Sequence, residues 1–368
     1  MTYRNRERVA RILAHQEADR VPVCRRSPHP EVVELVDAMG LDADHRAFCL
    51  EGDFEFVTFD YTAERERFLP YLGDLRNPDA AIWFVWGIAQ VPLQSVEGYH
   101  AGHRTYHPLA GVNTVAELNR YPWPDFTDPA RHAHLETEIA AAKADGYTVV
   151  GQMSQTILET AYMMRGLEQM MCDFYERPDY VDTLFTKLGR RRVFEARRLA
   201  EAGADVIRIG DDIATQKGLM VGRDLYRRFI RPWHADAVAA AREFNPDVHI
   251  LYHSDGNLTA LLPDLIEIGV TAINPVQPEC MDLARIKREF GRDLTLWGCC
   301  PVQSIYAHGS REDVIRHNRS LMKEIAPGGG LVLEFTNMIL TPSVLDNLRT
   351  FFETFYGMGR YGRMKAEG

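Results

Sequence analysis

Residues 248–278 constrain the fold more than any other stretch, because they read as a strand, a polar turn, a helix and a second strand. Residues 248–252 are apolar and rich in strand formers, and residues 253–257 have the composition of a turn. Leucines and isoleucines then recur at helical spacing up to Gly269, which is placed to end the helix. Residues 271–276 are apolar again. This order predicts a βαβ unit in a parallel sheet.

Similar apolar runs occur along the whole chain, with helical patterns between nearly all of them. The predicted strands lie at 21–23, 55–59, 147–151, 204–210, 248–252, 271–276, 294–298 and 331–335. Eight β/α units favour an α/β fold of the closed (β/α)8 TIM barrel type, with residues 1–368 forming a single domain. A doubly wound sheet is the alternative, but no helix opens with the G-x-G-x-x-G pattern of its dinucleotide-binding members.

Two segments fall outside the regular alternation. An amphipathic helix at 3–15 precedes the first strand as an N-terminal helical extension. Residues 62–125 contain many aromatic and turn residues but no long helical period. We interpret this second segment as an inserted hairpin region that covers one mouth of the barrel as a lid.

Charge and cysteine usage exclude several classes of function. The formal net charge is −10 and no run of lysine and arginine stands out, so nucleic acid is not an expected partner. No apolar run approaches the roughly 20 residues of a membrane span, and the first residues lack a secretory signal core. The six cysteines form no C-x-x-C pair, and six in a chain of this length do not make a disulfide framework. Their thiols are therefore expected to be reduced. We therefore expect a cytoplasmic protein.

Polar side chains follow nearly every predicted strand. In a barrel of parallel strands these positions meet at one mouth, where the active site of this fold lies. The residues in question are Arg25, Arg26, Asp60, Tyr61, Gln152, Gln155, Asp211, Asp212, His253, Asp255, Asn274, Gln277, Cys299, Cys300, Glu334 and Asn337.

Three interpretations of the pair His253 and Asp255 remain open. Two residues apart on an extended segment, their side chains share one face and could bind one metal ion or contact one substrate. Alternatively, Asp255 caps the following helix with His253 as its hydrogen-bond partner.

For Asp211 and Asp212, we expect one carboxylate to face the pocket and the other to act as a cap or ion-pair partner. Two nearby carboxylates could also divide acid and base roles.

The remaining strand ends allow fewer conclusions. A thiolate at Cys299 or Cys300 could bind zinc or act as a nucleophile, but buried small hydrophobic side chains are the more usual role of such cysteines. Glu334 is a candidate base or metal ligand, and it could equally bind an arginine across the barrel.

Several motifs resemble the uroporphyrinogen decarboxylase-like superfamily. They are the opening from Arg6 to Val23, Gly210-Asp-Asp-Ile-Ala-Thr-Gln216, His253-Ser-Asp-Gly256, Asn274-Pro-Val-Gln277 and Pro327-Gly-Gly-Gly330. The resemblance covers nearly the whole chain. It implies a (β/α)8 barrel and one of two chemistries, which are cofactor-free decarboxylation of uroporphyrinogen and methyl transfer involving a corrinoid protein, often with zinc.

The chain departs from both patterns of this superfamily. The decarboxylases carry an Arg-Gln-Ala-Gly-Arg segment that holds substrate carboxylates, whereas this chain has Cys24-Arg25-Arg26-Ser27-Pro28. Asp60 could correspond to their key aspartate. The zinc methyltransferases carry His-x-Cys where this chain has His253-x-Asp255, and a distant cysteine where it has about Asn337. These departures suggest a changed substrate or a metal-free member.

From these observations we predict a methyltransferase or demethylase that moves a methyl group from a small methylated compound to a corrinoid protein. The alternatives are a decarboxylase-type lyase that acts on a carboxylated substrate without a cofactor, and a non-catalytic binder. Zinc is the candidate metal, and a corrinoid protein and a second copy of the chain are the candidate partners. Our predicted catalytic residues are Asp212, Asp255, Glu334 and Asp60; the substrate-binding residues are Arg25, Arg26, Tyr61, Gln152, Gln155, Asp211, Asn274, Gln277 and Asn337; the metal ligands are His253, Asp255, Glu334 and Cys299.

Overall fold

The computed structural model describes residues 5–25, 29–93, 102–153 and 155–361. Its strands are β1 (Phe54–Val57), β2 (Ile82–Trp83), β3 (Ala89–Pro92), β4 (His103–Tyr106), β5 (Thr148–Gln152), β6 (Val206–Gly210), β7 (Ala214–Thr215), β8 (Gly218–Leu219), β9 (His249–His253), β10 (Ala272–Val276), β11 (Thr295–Cys299) and β12 (Leu331–Glu334).

Helices fill most of the connections between these strands. They are α1 (Asn5–Leu13), α2 (Pro30–Ala38), α3 (Ala43–Leu50), α4 (Val115–Arg120), α5 (Leu135–Ala144), α6 (Leu158–Arg165), α7 (Leu167–Glu176), α8 (Pro178–Glu201), α9 (Arg223–Leu225), α10 (Arg231–Phe244), α11 (Leu262–Glu267), α12 (Leu283–Phe290), α13 (Ile305–His308), α14 (Arg311–Ser320) and α15 (Pro342–Met358).

Seven strands form one parallel sheet in the order β1-β5-β6-β9-β10-β11-β12. Segment 20–24 joins the two edges of this sheet. Val23 forms a parallel bridge with Leu333 of β12, and its carbonyl accepts a hydrogen bond from the N–H of Asp53, next to β1. The segment thus takes the eighth position and closes the barrel. The predicted TIM barrel is confirmed, although the strand predicted at 21–23 occurs as isolated bridges.

The barrel interior is filled by side chains from strands that are not neighbours. Phe54 of β1 and Trp297 of β11 meet with their ring centroids 4.5 Å apart. Strands β6, β10 and β11 are buried along their whole length, because helices cover the outside of a parallel barrel. Since all the strands run in the same direction, their carboxyl ends open on one mouth.

The insertion predicted at 62–125 contains a three-stranded antiparallel sheet, β2-β3-β4. Arg165, which is fully buried in α6, donates hydrogen bonds to the carbonyls of Leu109 and Val112 and so ties the insertion to the barrel. The guanidinium of Arg192 in α8 lies 5.1 Å from the ring of Trp86 and donates to the carbonyl of Gln155. The insertion therefore packs against the loop that follows β5.

Apolar spacing in the sequence predicts continuous helices at 159–175 and 223–244, but both are interrupted in the structure. The helix expected at 159–175 is divided into α6 and α7 at Gly166, whose φ of +92° suits glycine. The helix expected at 223–244 contains a π turn at Tyr226–Ile230 between α9 and α10. Apolar spacing did not reveal either interruption, because the residues on both sides still face the core.

Within the part of the chain that the structure describes, none of the helices combines the length and apolar character needed to cross a membrane.

Candidate active site at the strand ends

A glycine allows two strand ends to come together at the mouth. Gly210, the last residue of β6, pairs with His253, the last residue of β9. A Cβ atom at Gly210 would lie only 2.0 Å from the carbonyl oxygen of His253, and the φ of Gly210 is +139°. The sequence after β6 can therefore run directly beside the sequence after β9, which brings Asp211 and Asp212 next to His253.

The adjacent carboxylates of Asp211 and Asp212 have different surroundings. Asp211 is completely buried, and its side chain accepts hydrogen bonds from the N–H groups of Ile157 and Glu159 at the start of α6. It also bonds Nε2 of His234 at 3.0 Å. Asp212 is partly exposed and points toward His253. Asp211 thus caps the start of α6, while its predicted contact with substrate and the predicted pocket role of Asp212 stay predictions.

Asp212, His253 and Asp255 form a group whose potential ligand atoms all lie within 4.8 Å of one another. Nε2 of His253 is 4.0 Å from Oδ1 of Asp212. The same Oδ1 accepts a hydrogen bond of 2.9 Å from the N–H of Asp255. One imidazole nitrogen and two carboxylates are thus assembled from the ends of two neighbouring strands.

A chain of side chains holds the imidazole of His253 in place. Asn274 donates its amide Nδ2–H to Oε2 of Glu334 at 3.0 Å, which fixes the amide orientation and directs Oδ1 toward His253. Nδ1 of His253 lies 2.8 Å from that oxygen and donates its N–H to it, which turns Nε2 toward Asp212. Asn274 is buried and Glu334 nearly so.

Three carboxyl groups at this mouth, those of Asp255, Asp212 and Glu159, have raised pKa values. Burial raises the pKa of Asp255 to about 6, with the charge of Asp212 as a second cause. Burial also raises the pKa of Asp212, with Asp211 contributing in the same direction. Burial and then the charges of Asp212 and Asp211 raise the pKa of Glu159 to about 8. The site therefore concentrates negative charge in a poorly hydrated place, which favours a proton or a cation there.

Glu159 is a site residue that the sequence did not indicate. Its Oε2 accepts a hydrogen bond of 3.3 Å from the N–H of Asp212, and its carboxyl group is also bonded by the side chain of Gln155. In the sequence it looked like the first residue of a helix. The available signal was its position in the first helical turn after β5, where a barrel directs side chains to the mouth.

A cavity of about 600 Å³ lies beside this group of carboxylates. Glu334 and Asn337 line it, and the Asn337 amide donates to Oδ2 of Asp255. Arg25 lines the same cavity. Its Nε and Nη2 are buried and have no hydrogen-bond partner among the described residues, while the rings of Phe335 and Phe352 lie about 5 Å from its guanidinium.

The other predicted substrate residues make contacts within the protein. Oε1 of Gln277 accepts from the N–H of Gly256 at 2.7 Å and so holds the turn after β9. Gln152 accepts from Arg208 at 3.4 Å, and the Tyr61 hydroxyl accepts from Arg192 at the same distance. Arg26 lies outside the described residues.

Three predicted catalytic or metal residues, Asp60, Cys299 and Glu334, are not in the group of three. Asp60 is exposed, and its carboxylate closes a short turn by accepting from the N–H and hydroxyl of Thr62. Cys299 is fully buried, and burial raises the pKa of its thiol far above the ordinary value. Burial also raises the pKa of the neighbouring Cys300 thiol. Glu334 contacts the group through Asn274 and not directly.

The donor set fits a divalent metal ion. Oδ1 of Asp255 is buried and has no hydrogen-bond partner among the described residues, an arrangement that is costly unless a proton or a cation satisfies the oxygen. Imidazole nitrogen and carboxylate oxygen are both common ligands of zinc. Asp212, His253 and Asp255 could therefore hold such an ion.

Comparison with protein families gives a match to the model described as uroporphyrinogen decarboxylase (URO-D), over residues 107–357. Curated relatives include the uroporphyrinogen decarboxylase of Crocosphaera subtropica (strain ATCC 51142 / BH68), which is 23% identical over 181 residues, 49% of this chain and 48% of that protein. The uroporphyrinogen decarboxylase of Chlorobium chlorochromatii (strain CaD3) is 24% identical over 189 residues, 50% of each. The match spans about half the length of these relatives.

Among solved structures, a methyltransferase from Methanosarcina mazei has the same fold. The superposition covers 96% of this chain and 99% of that chain, with a TM-score of 0.57 and 18% sequence identity.

Proposed function

Because this chain belongs to the uroporphyrinogen decarboxylase family, whose fold also occurs in a methyltransferase that matches it over 96% of its length, we propose that it is a methyltransferase. In this proposal it moves a methyl group from a small methylated compound to a corrinoid protein. The observation that carries the proposal is the group of Asp212, His253 and Asp255, which Asn337 connects to a cavity of about 600 Å³ by its hydrogen bond to Asp255.

The proposed reaction places one chemical demand on the site. When the methyl group moves to the reduced cobalt of the acceptor, the electron pair of the broken bond stays on the donor's heteroatom. That atom must be polarised before the bond breaks and protonated afterwards. Asp212 and Asp255, which are joined by the hydrogen bond from the N–H of Asp255, lie where they can supply or relay the proton. Asn274 and Glu334 hold the imidazole of His253 beside them.

A metal ion would add to this chemistry. Bound by Asp212, His253 and Asp255, zinc would act as a Lewis acid that withdraws charge from the heteroatom. The chain's own contribution is to orient the donor in the cavity, to limit the access of water, and to hold the proton near Asp255.

Arg25 supports a donor that carries an acidic group. Two of its guanidinium nitrogens are buried at the wall of the cavity with no hydrogen-bond partner in the part of the chain that the structure describes, and a carboxylate is the group that an arginine fork binds best. The other lining residues include Met338, Ile339, Leu340 and Leu348. A compact, partly apolar methylated acid would satisfy both features.

The position of the site at the mouth of the barrel indicates where the protein that accepts the methyl group would bind. A corrinoid protein would dock over the mouth of the barrel, and we expect the two proteins to meet in the cytoplasm. A second copy of the chain remains a candidate partner.

The test is methyl transfer in vitro. The purified protein is mixed with a reduced corrinoid protein and a panel of O-, N- and S-methylated acids, and methylation is followed by the visible spectrum of the corrinoid. We expect Asp212→Asn and Asp255→Asn to lower the rate by about 10²- to 10⁴-fold, the usual contribution of acid–base groups. We expect Arg25→Leu to raise KM for acidic donors. No methylation with any donor would contradict the proposal.

A second candidate function is cofactor-free decarboxylation, which is favoured by the names of both curated relatives and by Arg25, whose buried Nε and Nη2 lack a hydrogen-bond partner among the described residues. In that case uroporphyrinogen or a smaller acid would release carbon dioxide, with Arg25 holding a carboxylate. Asp60→Asn distinguishes the two functions, because it should abolish decarboxylation and leave methyl transfer unchanged.

A further inference from the structure

A second cavity lies at the amino ends of the barrel strands, at the opposite end of the barrel from the candidate active site. Its volume is about 660 Å³, which falls within the roughly 300 to 1,000 Å³ of ordinary ligand pockets. Helix α1 forms one wall, and the starts of β5 and β9 and the end of α5 form the others. The proposed methyl transfer makes no use of this cavity.

The barrel interior is polar at this end. Phe54 of β1 meets Trp297 across the interior, and Thr148 of β5 is the register partner of Phe54, so it shares that face. Thr295 lies two residues before Trp297 on β11 and also faces inward. Both threonine hydroxyls are buried and have no hydrogen-bond partner among the described residues. Such a group is costly unless it is satisfied, and Thr148 lines the cavity.

The charges around the cavity are unequal. Arg6 and Lys143 line it, but both already pair with Asp205, at 2.7 and 3.1 Å. The carboxylates of Glu7 and Asp247 also line it, and neither has an ion-pair or hydrogen-bond partner within the described ranges. The lining thus carries two positive and three negative charges, which favours a cationic ligand over an anionic one.

His249, the first residue of β9, adds an uncharged acceptor to the lining. Burial lowers the pKa of its imidazole, and the charges of Arg242 and His15 act in the same direction. The ring is therefore neutral at pH 7, and a neutral imidazole has one nitrogen that accepts a hydrogen bond. It can accept from an ammonium or a hydroxyl group of a ligand.

The remaining wall is apolar and fixed in place. Val9, Ala10 and Leu13 of α1 present carbon atoms to the cavity. The N–H of Arg6 donates to the carbonyl of Gly146 at 2.9 Å, which attaches the start of α1 to the end of α5. The cavity is thus preformed, so a ligand does not have to order the chain around it.

We propose that this cavity is a second ligand site, which binds a small organic ammonium ion that also carries a hydroxyl group. The ammonium group would pair with the carboxylates of Asp247 and Glu7. The hydroxyl group would satisfy the buried hydroxyl of Thr148, and the carbon atoms would pack against α1.

Three matched probes test the choice of ligand. Ethanolamine carries an ammonium and a hydroxyl group, ethylene glycol carries two hydroxyl groups, and glycolate carries a carboxylate and a hydroxyl group. The methyl groups of Ala10, Ala144 and Thr148 line the cavity, so methyl NMR of the full chain labelled at alanine and threonine reports binding there. We expect millimolar ethanolamine to shift these signals in a saturable way, and the other two probes to shift them much less.

Two variants test the contacts, with Ala10 and Ala144 as reporters. Thr148→Val keeps the shape of the side chain but removes its hydroxyl, and it should weaken ethanolamine binding by about 5- to 10-fold. Asp247→Asn removes an exposed carboxylate and should weaken binding by about 5-fold. Asp44→Asn is the matched control, because Asp44 is an exposed carboxylate of α3 that does not line the cavity. It should bind ethanolamine as the unmodified protein does.

The outcomes separate this site from the methyl-transfer site, because binding is read at Ala10 and Ala144 without a methyl donor or a corrinoid protein. Circular dichroism should confirm that each variant is folded. The proposal is overturned if ethanolamine leaves the Ala10 and Ala144 signals unchanged, which would mean that water alone fills the cavity. It is also overturned if glycolate binds as well as ethanolamine, or if either Thr148→Val or Asp247→Asn binds ethanolamine with unchanged affinity.

Discussion

At the scale of single residues, two adjacent aspartates show how position decides the role of a carboxylate. Asp211 is enclosed by the start of α6 and by His234, whereas Asp212 lies beside Asp255 and Glu159 at the mouth. The first stabilises the fold. The second concentrates negative charge at some cost in stability, as is typical of functional sites.

We therefore predict opposite effects for alanine at these two positions. Asp211→Ala leaves His234 and two backbone N–H groups without their buried partner and should cost about 3 to 5 kcal/mol. Asp212→Ala relieves repulsion in the metal-free protein and should leave stability unchanged or slightly increased. Urea unfolding of both variants in the presence of a chelator provides the comparison. Equal losses in the two variants would contradict this assignment.

Sequence reasoning indicated most of the mouth but not its internal order. Asp212, His253, Asp255, Asn274 and Glu334 were all predicted as strand-end residues, because strand ends converge in a barrel. Which of them touch one another depends on backbone details such as the close approach at Gly210. That approach is a tertiary contact, which no local sequence pattern predicts.

At the scale of elements, most strands could be predicted because each is a short apolar run between turn residues. The breaks within helices could not. The interruption at Gly166 and the π turn at Tyr226–Ile230 both keep their apolar residues facing the core, so the hydrophobic period continues across them. Only the hydrogen-bond pattern of the backbone changes, and side-chain composition does not record it.

An ion-pair cluster at the opposite end of the barrel from the active site gives a prediction at this scale. Asp205, just before β6, pairs with Arg6 of α1 at 2.7 Å and with Lys143 of α5 at 3.1 Å. Burial alone would raise the pKa of Asp205, but the hydrogen bonds from Arg6, the N–H of Val149 and Lys143 outweigh it and lower the pKa below its ordinary value.

The direction of this shift fixes the pH dependence. The stabilisation by Asp205 should be fully present above the ordinary aspartate pKa of about 3.9 and should be lost as the pH falls through the lower pKa of the folded protein. Asp205→Asn should cost about 1 kcal/mol at pH 7, since Arg6 is half exposed. In urea unfolding at several pH values, the difference in the free energy of unfolding between the unmodified protein and Asp205→Asn should shrink below pH ~4. A difference that does not change with pH would contradict this prediction.

At the scale of the whole molecule, the barrel is closed by segment 20–24, and a buried carboxylate fixes that closure. Asp53, which is fully buried, accepts hydrogen bonds from Arg8 at 2.7 Å, from Arg20 at 2.9 Å and from the N–H of Val23 at 2.8 Å. It joins the N-terminal helix, the closing segment and the approach to β1.

Asp53→Ala should therefore be among the most damaging substitutions in the chain. It leaves two largely buried arginines without this partner and should lower the free energy of unfolding by about 3 to 5 kcal/mol. Asp37→Ala is a matched control, because it removes the partner of Arg46 at an exposed ion pair and should cost less than about 1 kcal/mol. Thermal and urea unfolding compare the two, and similar losses would contradict a special role for Asp53.

The cavity beside the carboxylates has walls that belong to distant parts of the chain. Cys24, Arg25 and Cys49 come from one side of the closure, and residues from Glu334 to Leu348 come from the other. Contacts across roughly 300 positions form slowly during folding, so we expect the binding pocket to be completed late. A small acid that fills the cavity would contact both sets of residues. The increase in the free energy of unfolding that it causes would therefore show whether the barrel is closed.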